Sequence, residues 1–223
     1  MESEQKNAFL KYEADKWFLR NSQAIKNYNS SKDEVINIIK EYNLEVNSVL
    51  ELGSSAGYRL NAIKSLFPTK NLTGLEPSKL AIEYGQENYP SIHFVHGTAD
   101  NLSCLNDNSY DLVIVGFILY VIDRNLLLKV ISEIDRVLKD GGVVILVDFF
   151  SEKPVKNSYE HIHDLQAFSF KQNYDEIFTS SKLYYLLDKS SFSHDNKIKD
   201  VSSDYHNKYS ISVLKKDLTA SYK

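Results

Sequence analysis

The stretch Val49-Leu50-Glu51-Leu52-Gly53-Ser54-Ser55-Ala56-Gly57-Tyr58 sets the fold of this chain. An apolar run from Ser48 to Leu52 stops at a glycine. Small residues follow to Gly57, and a helical pattern then runs to Phe67, ahead of Pro68. Strand, tight glycine turn and helix in that order form a nucleotide-binding corner. The turn lets a ligand approach bare backbone. The helix start behind it offers unpaired N–H groups and a partial positive charge.

Downstream of this corner, strands and helices alternate. Strands are expected over 72–76, 92–95, 111–116 and 143–148, and helices from Pro77-Ser78 to about 87 and over 125–138. The 111–116 run is continuously apolar, as in a strand covered on both faces. This β-α repetition predicts an α/β fold with a mostly parallel sheet and right-handed crossovers. Two late strands, over 182–187 and 209–214, have no helix between them and suggest an antiparallel pair at a sheet edge. Upstream, residues 6–28 read as one helix with Phe9, Tyr12, Trp17 and Phe18 on its aromatic side. That helix either packs on the body or forms a lid that brings Trp17, Arg20 and Tyr28 near a ligand. Ser31, with Glu34 three residues on, is the expected cap of a second helix whose buried stripe is Val35, Ile36, Ile38 and Ile39.

The 223 residues fit one domain: a helical lid over 1–30, a binding core over 45–150 and a substrate-facing segment over 151–223. Net charge is −4, so no global basic field draws the chain to nucleic acid or to an anionic membrane. Cys104 is the only cysteine, which excludes an intrachain disulfide and a cysteine zinc cluster. The polar N-terminus lacks a signal-peptide core, and the longest apolar run, 112–122, is shorter than the roughly 20 residues that span a bilayer. A cytoplasmic monomer or homodimer acting on a small molecule is the expectation.

Three signals sit at successive strand ends. Glu51 precedes Gly53 and can meet a cationic ligand group. Glu76 closes the second strand about 20 residues beyond Gly57, the offset at which an acidic residue accepts hydrogen bonds from ribose hydroxyls. Gly97-Thr98-Ala99-Asp100-Asn101-Leu102 follows the third strand, where a side chain and a backbone N–H can read an adenine edge. The set describes a pocket for an adenosine joined to a cationic amino acid.

At these residues the chain resembles the class I S-adenosylmethionine (SAM)-dependent methyltransferases. The family's E-x-G-x-G-x-G motif stands as Glu51 to Gly57, with Ser55 in place of the middle glycine. Thr98 replaces the acidic residue that many members place near the adenine amino group. Tyr120 and Val121 stand where many carry histidine. Arg136 to Gly142 resembles the R-x-L-K-P-G-G turn, with Asp140 for its proline. The resemblance implies a Rossmann-like seven-stranded sheet, order 3-2-1-4-5-7-6 with strand seven antiparallel, and SAM across its carboxyl edge. The cofactor contacts it implies are Trp17, Arg20, Glu51, Gly53, Ser54, Ser55, Gly57, Glu76, Pro77, Thr98, Ala99, Asp100, Gly116 and Phe117.

Methyl transfer is an in-line displacement, so the protein must align the groups and exclude water. A hydroxyl acceptor also needs a base within hydrogen-bond reach. His161 and His194 are the candidates, with Asp148 at the end of the fifth strand. Tyr120, Lys171 and Tyr174 are candidate acceptor contacts. A Mg²⁺ site built from His161, His163 and Asp164 finds no acidic cluster to support it, so no metal is expected. Gly116-Phe117-Ile118-Leu119 stands where DNA amino-methylating enzymes carry [DNS]-P-P-[YFW], which disfavours nucleic acid as substrate. Phe168-Ser169-Phe170-Lys171 and Phe192-Ser193-His194 are loosely similar to methyltransferases of bacterial capsule and surface-polysaccharide clusters. A nucleotide-linked sugar or a phosphate-type precursor is therefore the leading acceptor. Another small metabolite, or a non-catalytic SAM-binding partner, is the alternative. A nicotinamide dehydrogenase would need G-x-G-x-x-G, and the chain reads Gly53-Ser54-Ser55-Ala56-Gly57-Tyr58.

Overall fold

The computed structural model describes residues 3–162, 167–195, 197–202 and 204–219. Its strands are β1 (Ser48–Leu52), β2 (Asn71–Glu76), β3 (His93–His96), β4 (Tyr110–Gly116), β5 (Leu138–Phe149), β6 (Val155–Ser158), β7 (Phe168–Lys171), β8 (Tyr184–Ser193) and β9 (Lys208–Lys216). Seven of them form one sheet in the order β3-β2-β1-β4-β5-β9-β8, and β6 pairs with β7 in a separate hairpin. With that hairpin set aside, the order is the expected 3-2-1-4-5-7-6. The β1–β5 pairings are parallel, and β9 runs antiparallel to both β5 and β8.

The central strands β1, β4, β5 and β9 are buried on both faces, and period-two alternation sorts their side chains. Leu50, Leu52, Val113, Val115 and Leu146 face a core shared with α6 (Leu127–Val137). Val49, Leu112, Ile114, Ile145 and Ile211 face the opposite core, shared with α3 (Glu34–Glu41) and α4 (Tyr58–Leu66). Helix α5 (Lys79–Asn88) starts at Ser78, whose side chain accepts from the Ala81 N–H.

Four features depart from the sequence expectation. The expected 6–28 helix is two helices, α1 (Glu4–Tyr12) and α2 (Ala14–Lys26), broken at Glu13, whose side chain turns inward to Arg20 and Tyr159. The cap of α3 is Asp33, accepting from the Val35 N–H at 2.9 Å, whereas Ser31 lies in a preceding 3-10 turn. Strand β8 begins later and extends further than expected. The aperiodic segment after β5 holds the β6–β7 hairpin and the short α7 (Asp175–Thr179), elements too short and too exposed to print a period.

Helices α1 and α2 lie across the carboxyl edge of the sheet. Lys6 pairs with Asp100 at 2.8 Å, Ser3 donates to Asp123 at 2.6 Å, and Gln5 donates to the Val121 and Phe168 carbonyls. Phe18 and Ile25 pack against Ala56 and Ala81. Ser78 donates to Asp15 at 2.7 Å. Ile39, fully buried between α3 and the sheet, anchors the opposite face. Ile39→Ala is expected to lower unfolding free energy in denaturant titration by about 3 kcal/mol, through lost burial plus a cavity.

Candidate functional site

The chain leaves β1 through left-handed backbone at Gly53 (φ 74°), Ser55 (φ 49°) and Gly57 (φ 78°). A side chain at Gly53 would overlap Ile118. The Gly53 and Ser54 N–H groups donate to the Leu75 carbonyl, which ties the turn to β2. The Glu76 carboxylate fixes it further, accepting from the Ser55 N–H at 2.8 Å and the Ser78 N–H at 2.9 Å. Burial pushes the Glu76 carboxyl up to about 7, and those two N–H groups pull against it.

Glu51 lies beside this turn. One of its carboxylate oxygens accepts from Arg59, and the other, Oε2, is buried without a partner, as is the Ser55 hydroxyl. Arg59 Nε donates to Asp33 at 2.8 Å, and Tyr28 donates to the same oxygen. Burial opposes the Arg59 charge, but Asp33 and Glu51 outweigh it and hold the guanidinium firmly protonated. A cofactor with a cationic amino acid end fits these residues: the orphaned Glu51 oxygen needs a donor. Each Glu76 oxygen also keeps a second lone pair for a ribose hydroxyl.

A cavity of about 790 Å³ opens between α2, the β6–β7 hairpin and the ends of β4, β5 and β9. Trp17, Tyr28, Tyr58, Phe117, Tyr120, Phe149 and Tyr159 supply its aromatic walls. Arg20, Arg59, His161, Lys171, His194, Lys197 and His206 supply its basic groups. The Tyr159 hydroxyl donates to Glu13 at 2.7 Å and shares a hydrogen bond with Tyr120; Arg20 donates to the same Glu13 carboxylate. Burial, then Asp148, raise the Tyr120 phenol against the pull of the Tyr159 hydroxyl, and burial, then Tyr120 and Glu13, raise the Tyr159 phenol, so both stay protonated. Burial, then Lys197 and Lys171, lower the His194 imidazole.

The expected site residues divide into three groups. Trp17, Arg20, Phe117, Tyr120, His161, Lys171 and His194 share the cavity. Glu51, Gly53, Ser54, Ser55, Gly57, Glu76, Pro77, Thr98, Ala99 and Gly116 follow the carboxyl edges of β1 to β4, next to the cavity, with Arg59 as the link. The structure commits Asp148, Tyr174 and Asp100 elsewhere. Asp148 is buried, accepting from the Leu119 and Phe149 N–H groups, so it supports the loop after β4 and does not face the cavity. Tyr174 is buried in the core under α6 and donates to the Phe170 carbonyl. Both Asp100 oxygens accept from Lys6, so this acid holds α1 down. His163 and Asp164 lie outside the described residues. Sequence reasoning missed Glu13, Arg59, Tyr159 and Lys197, none of which sits at the end of one of the strands legible in the sequence.

Residues 49–142 match the family described as "Methyltransferase domain". A demethylmenaquinone methyltransferase of Staphylococcus haemolyticus is 30% identical over 151 residues, covering 65% of this chain and 60% of that one. A Staphylococcus aureus protein of the same name is 31% identical over 140 residues, covering 60% of this chain and 55% of its own length. The chain thus spans about three-fifths of these relatives. Among solved structures, a SAM-dependent methyltransferase of Methanosarcina mazei superposes with a TM-score of 0.62 at 17% identity, covering 81% of this chain and 97% of that one. The 1,6-didemethyltoxoflavin N1-methyltransferase of Burkholderia thailandensis superposes at 0.68 with 11% identity, covering 97% and 92%. The chain shares the fold of these solved methyltransferases, and its residues 49–142 match the methyltransferase domain family.

Asp148 carries a pH signature. Burial raises its carboxyl from 3.8 to about 7, against the pull of backbone N–H groups. Its neutral form stabilises the fold below the unfolded value, and that contribution is lost as pH rises through about 7. Between pH 5 and 8 the ligand-free protein should lose about 3 kcal/mol relative to Asp148→Asn in denaturant titrations.

Proposed function

We propose that this protein transfers a methyl group from SAM to a small ring-bearing acceptor in the cavity under α2. The observation that carries this reading is a junction. The glycine turn with its acidic partner, Glu76, meets an aromatic-walled cavity through the Glu51–Arg59 pair. When bound, the cofactor supplies an electrophilic methyl on a sulfonium. Glu76 would accept from its ribose hydroxyls, and Glu51 Oε2 would accept from its ammonium. Gly53, Ser54, Ser55 and Gly57 would give it bare backbone. Pro77, Thr98 and Ala99 would flank the adenine. Gly116, where a Cβ would meet nothing closer than 3.6 Å, leaves room at the carboxyl end of β4.

Trp17 and Arg20 on α2 close the cavity roof, with Arg20 fixed by Glu13 and so by Tyr159. Water exclusion matters because the sulfonium is open to any nucleophile. Tyr120 and Tyr159, held protonated, do not act as bases; the Tyr159 hydrogen is taken by Glu13 and the two hydroxyls bond each other, so the pair fixes this wall of the cavity. If the acceptor loses a proton, an imidazole nitrogen of His161 or His194 takes it, and the lowered His194 is held in its neutral form.

A nucleotide-linked sugar or phosphate-bearing precursor of capsule or surface polysaccharide fits a cavity with ring faces and Lys171. A planar aromatic acceptor is the second reading. The same walls favour it, as do the names of two proteins this chain resembles, a demethylmenaquinone methyltransferase and a 1,6-didemethyltoxoflavin N1-methyltransferase. Labelled SAM incubated with nucleotide sugars and with hydroxylated ring compounds tests both readings. Label transfer to one class selects it. SAM binding without transfer to any acceptor favours a non-catalytic partner.

Trp17 is the chain's only tryptophan and lines the cavity, so its fluorescence reports ligand binding. Glu76→Ala should weaken SAM binding by about 1–3 kcal/mol through lost charge-assisted hydrogen bonds, and unchanged quenching midpoints would refute the ribose role. Replacing either His161 or His194 by alanine should leave that midpoint in place. One of the two should cut turnover on a hydroxyl acceptor by at least about a hundredfold.

A further inference from the structure

The four Lys and Arg side chains of the cavity are not equivalent. Arg20 is paired with Glu13, and Arg59 with Asp33 and Glu51. Lys171 and Lys197 form no ion pair with any carboxylate among the described residues. The Lys171 ammonium donates to the His206 carbonyl and sits 5.1 Å from the Phe149 ring centre. The Lys197 ammonium sits 5.9 Å from the Phe117 ring and 5.2 Å from the Tyr209 ring. These rings form one cluster: Phe117 is 5.4 Å from both Phe149 and Tyr209, and His194 is 5.0 Å from Phe149. Two cations without a carboxylate partner among the described residues therefore flank one aromatic platform at the carboxyl ends of β4 and β5.

The backbone is bent to put them there. Lys197 has φ 60° and Phe117 has φ 51°, a conformation that L residues with side chains rarely adopt. Such strain persists only where the surroundings over-determine it, and it gathers at binding sites. The turn between β8 and β9 holds Lys197. Its N–H donates to the Ser193 carbonyl at 3.0 Å, and the neighbouring His194 N–H donates to Asn207 at 2.7 Å. Burial lowers both lysine amines. Asp195 offsets this at Lys197, and Asp204 and Glu160 do so at Lys171, all without contact. Ring faces alone repay little of the cost of desolvating two ammonium groups, and an oxyanion between them would repay far more.

We propose that Lys171 and Lys197 bind an oxyanion, a phosphate or a carboxylate, carried by the methyl acceptor, whose ring lies against Phe117 and Phe149. Calling the bound molecule the acceptor rests on the methyltransferase reading; the anion site itself does not. The acceptor is then an acidic molecule, anchored by its charge at one end with its ring turned toward the β4 loop.

Calorimetry on the protein saturated with S-adenosylhomocysteine tests this, with pyrophosphate and benzoate as probes. At least one probe should bind the wild type, and which one does tells phosphate from carboxylate. Lys171→Met with Lys197→Met should lower that affinity at least about tenfold, while the remote Lys70→Met retains it. S-adenosylhomocysteine affinity should stay within about twofold in every variant, which also shows that each is folded. Equal probe binding by the double methionine variant, or no binding of either probe by the wild type, overturns the proposal. Lysine-dependent probe binding in a protein that takes no S-adenosylhomocysteine would support the anion site and refute the cofactor reading alone.

Discussion

Left-handed backbone between β1 and α4 is the constraint on which this structure depends. Gly53, Ser55 and Gly57 take positive φ in alternation, and a side chain at the first would overlap Ile118. This path turns the chain within a few residues from the middle of the sheet into a helix on its face. It also aims the Ser55 N–H at Glu76, so that β2 must end on an acid beside the turn. The neighbouring N–H groups close on the Leu75 carbonyl. The ligand corner and the β1–β2 pairing are thus one object. Ser55 keeps the geometry although it lacks the freedom of glycine, because Glu76 holds its N–H and the buried surroundings leave it no other path.

Around that turn the sheet gathers buried acids at its carboxyl edge. Glu51 is held by Arg59, Glu76 by two N–H groups and Asp148 by two more. Each costs desolvation, and only Glu51 touches a cation. The edge is therefore less stable than an apolar one would be, as expected of a site prepared for polar ligands. Helices α1 and α2 cover it through a few polar ties: Lys6 to Asp100, Ser3 to Asp123, and Glu13 to Tyr159. Glu13 both breaks the helix and ties the roof over the cavity to Tyr159 beside β6.

Much of the fold was legible because buried parallel strands print as apolar runs. β1, β2, β4 and β5 came from such runs, and the late antiparallel pair from the missing helix between β8 and β9. The corner was legible because glycine at Gly53 and Gly57 and acid at Glu51 and Glu76 fall at spacings the chemistry requires. The cavity residues Trp17, Phe117, Tyr120, Lys171, His161 and His194 were found by their position in the chain, near the lid, the strand ends or the aromatic segment.

What sequence hid was side-chain commitment. Nothing local says that Asp148 accepts from the Leu119 N–H, that Tyr174 meets Arg124, or that Asp100 is taken by Lys6, since these partners lie far along the chain. Lys197 sits in a polar run without period, and only the turn between β8 and β9 carries it back over Phe117. Asp33 displaced Ser31 as cap because Arg59 and Tyr28 also need its carboxylate. The account stands on the corner receiving an adenosine joined to an amino acid. Calorimetric titration of the intact protein with S-adenosylhomocysteine, beside NADH, tests it most directly. Micromolar binding of the first and none of the second is the predicted result; binding of NADH alone, or of neither, would contradict it.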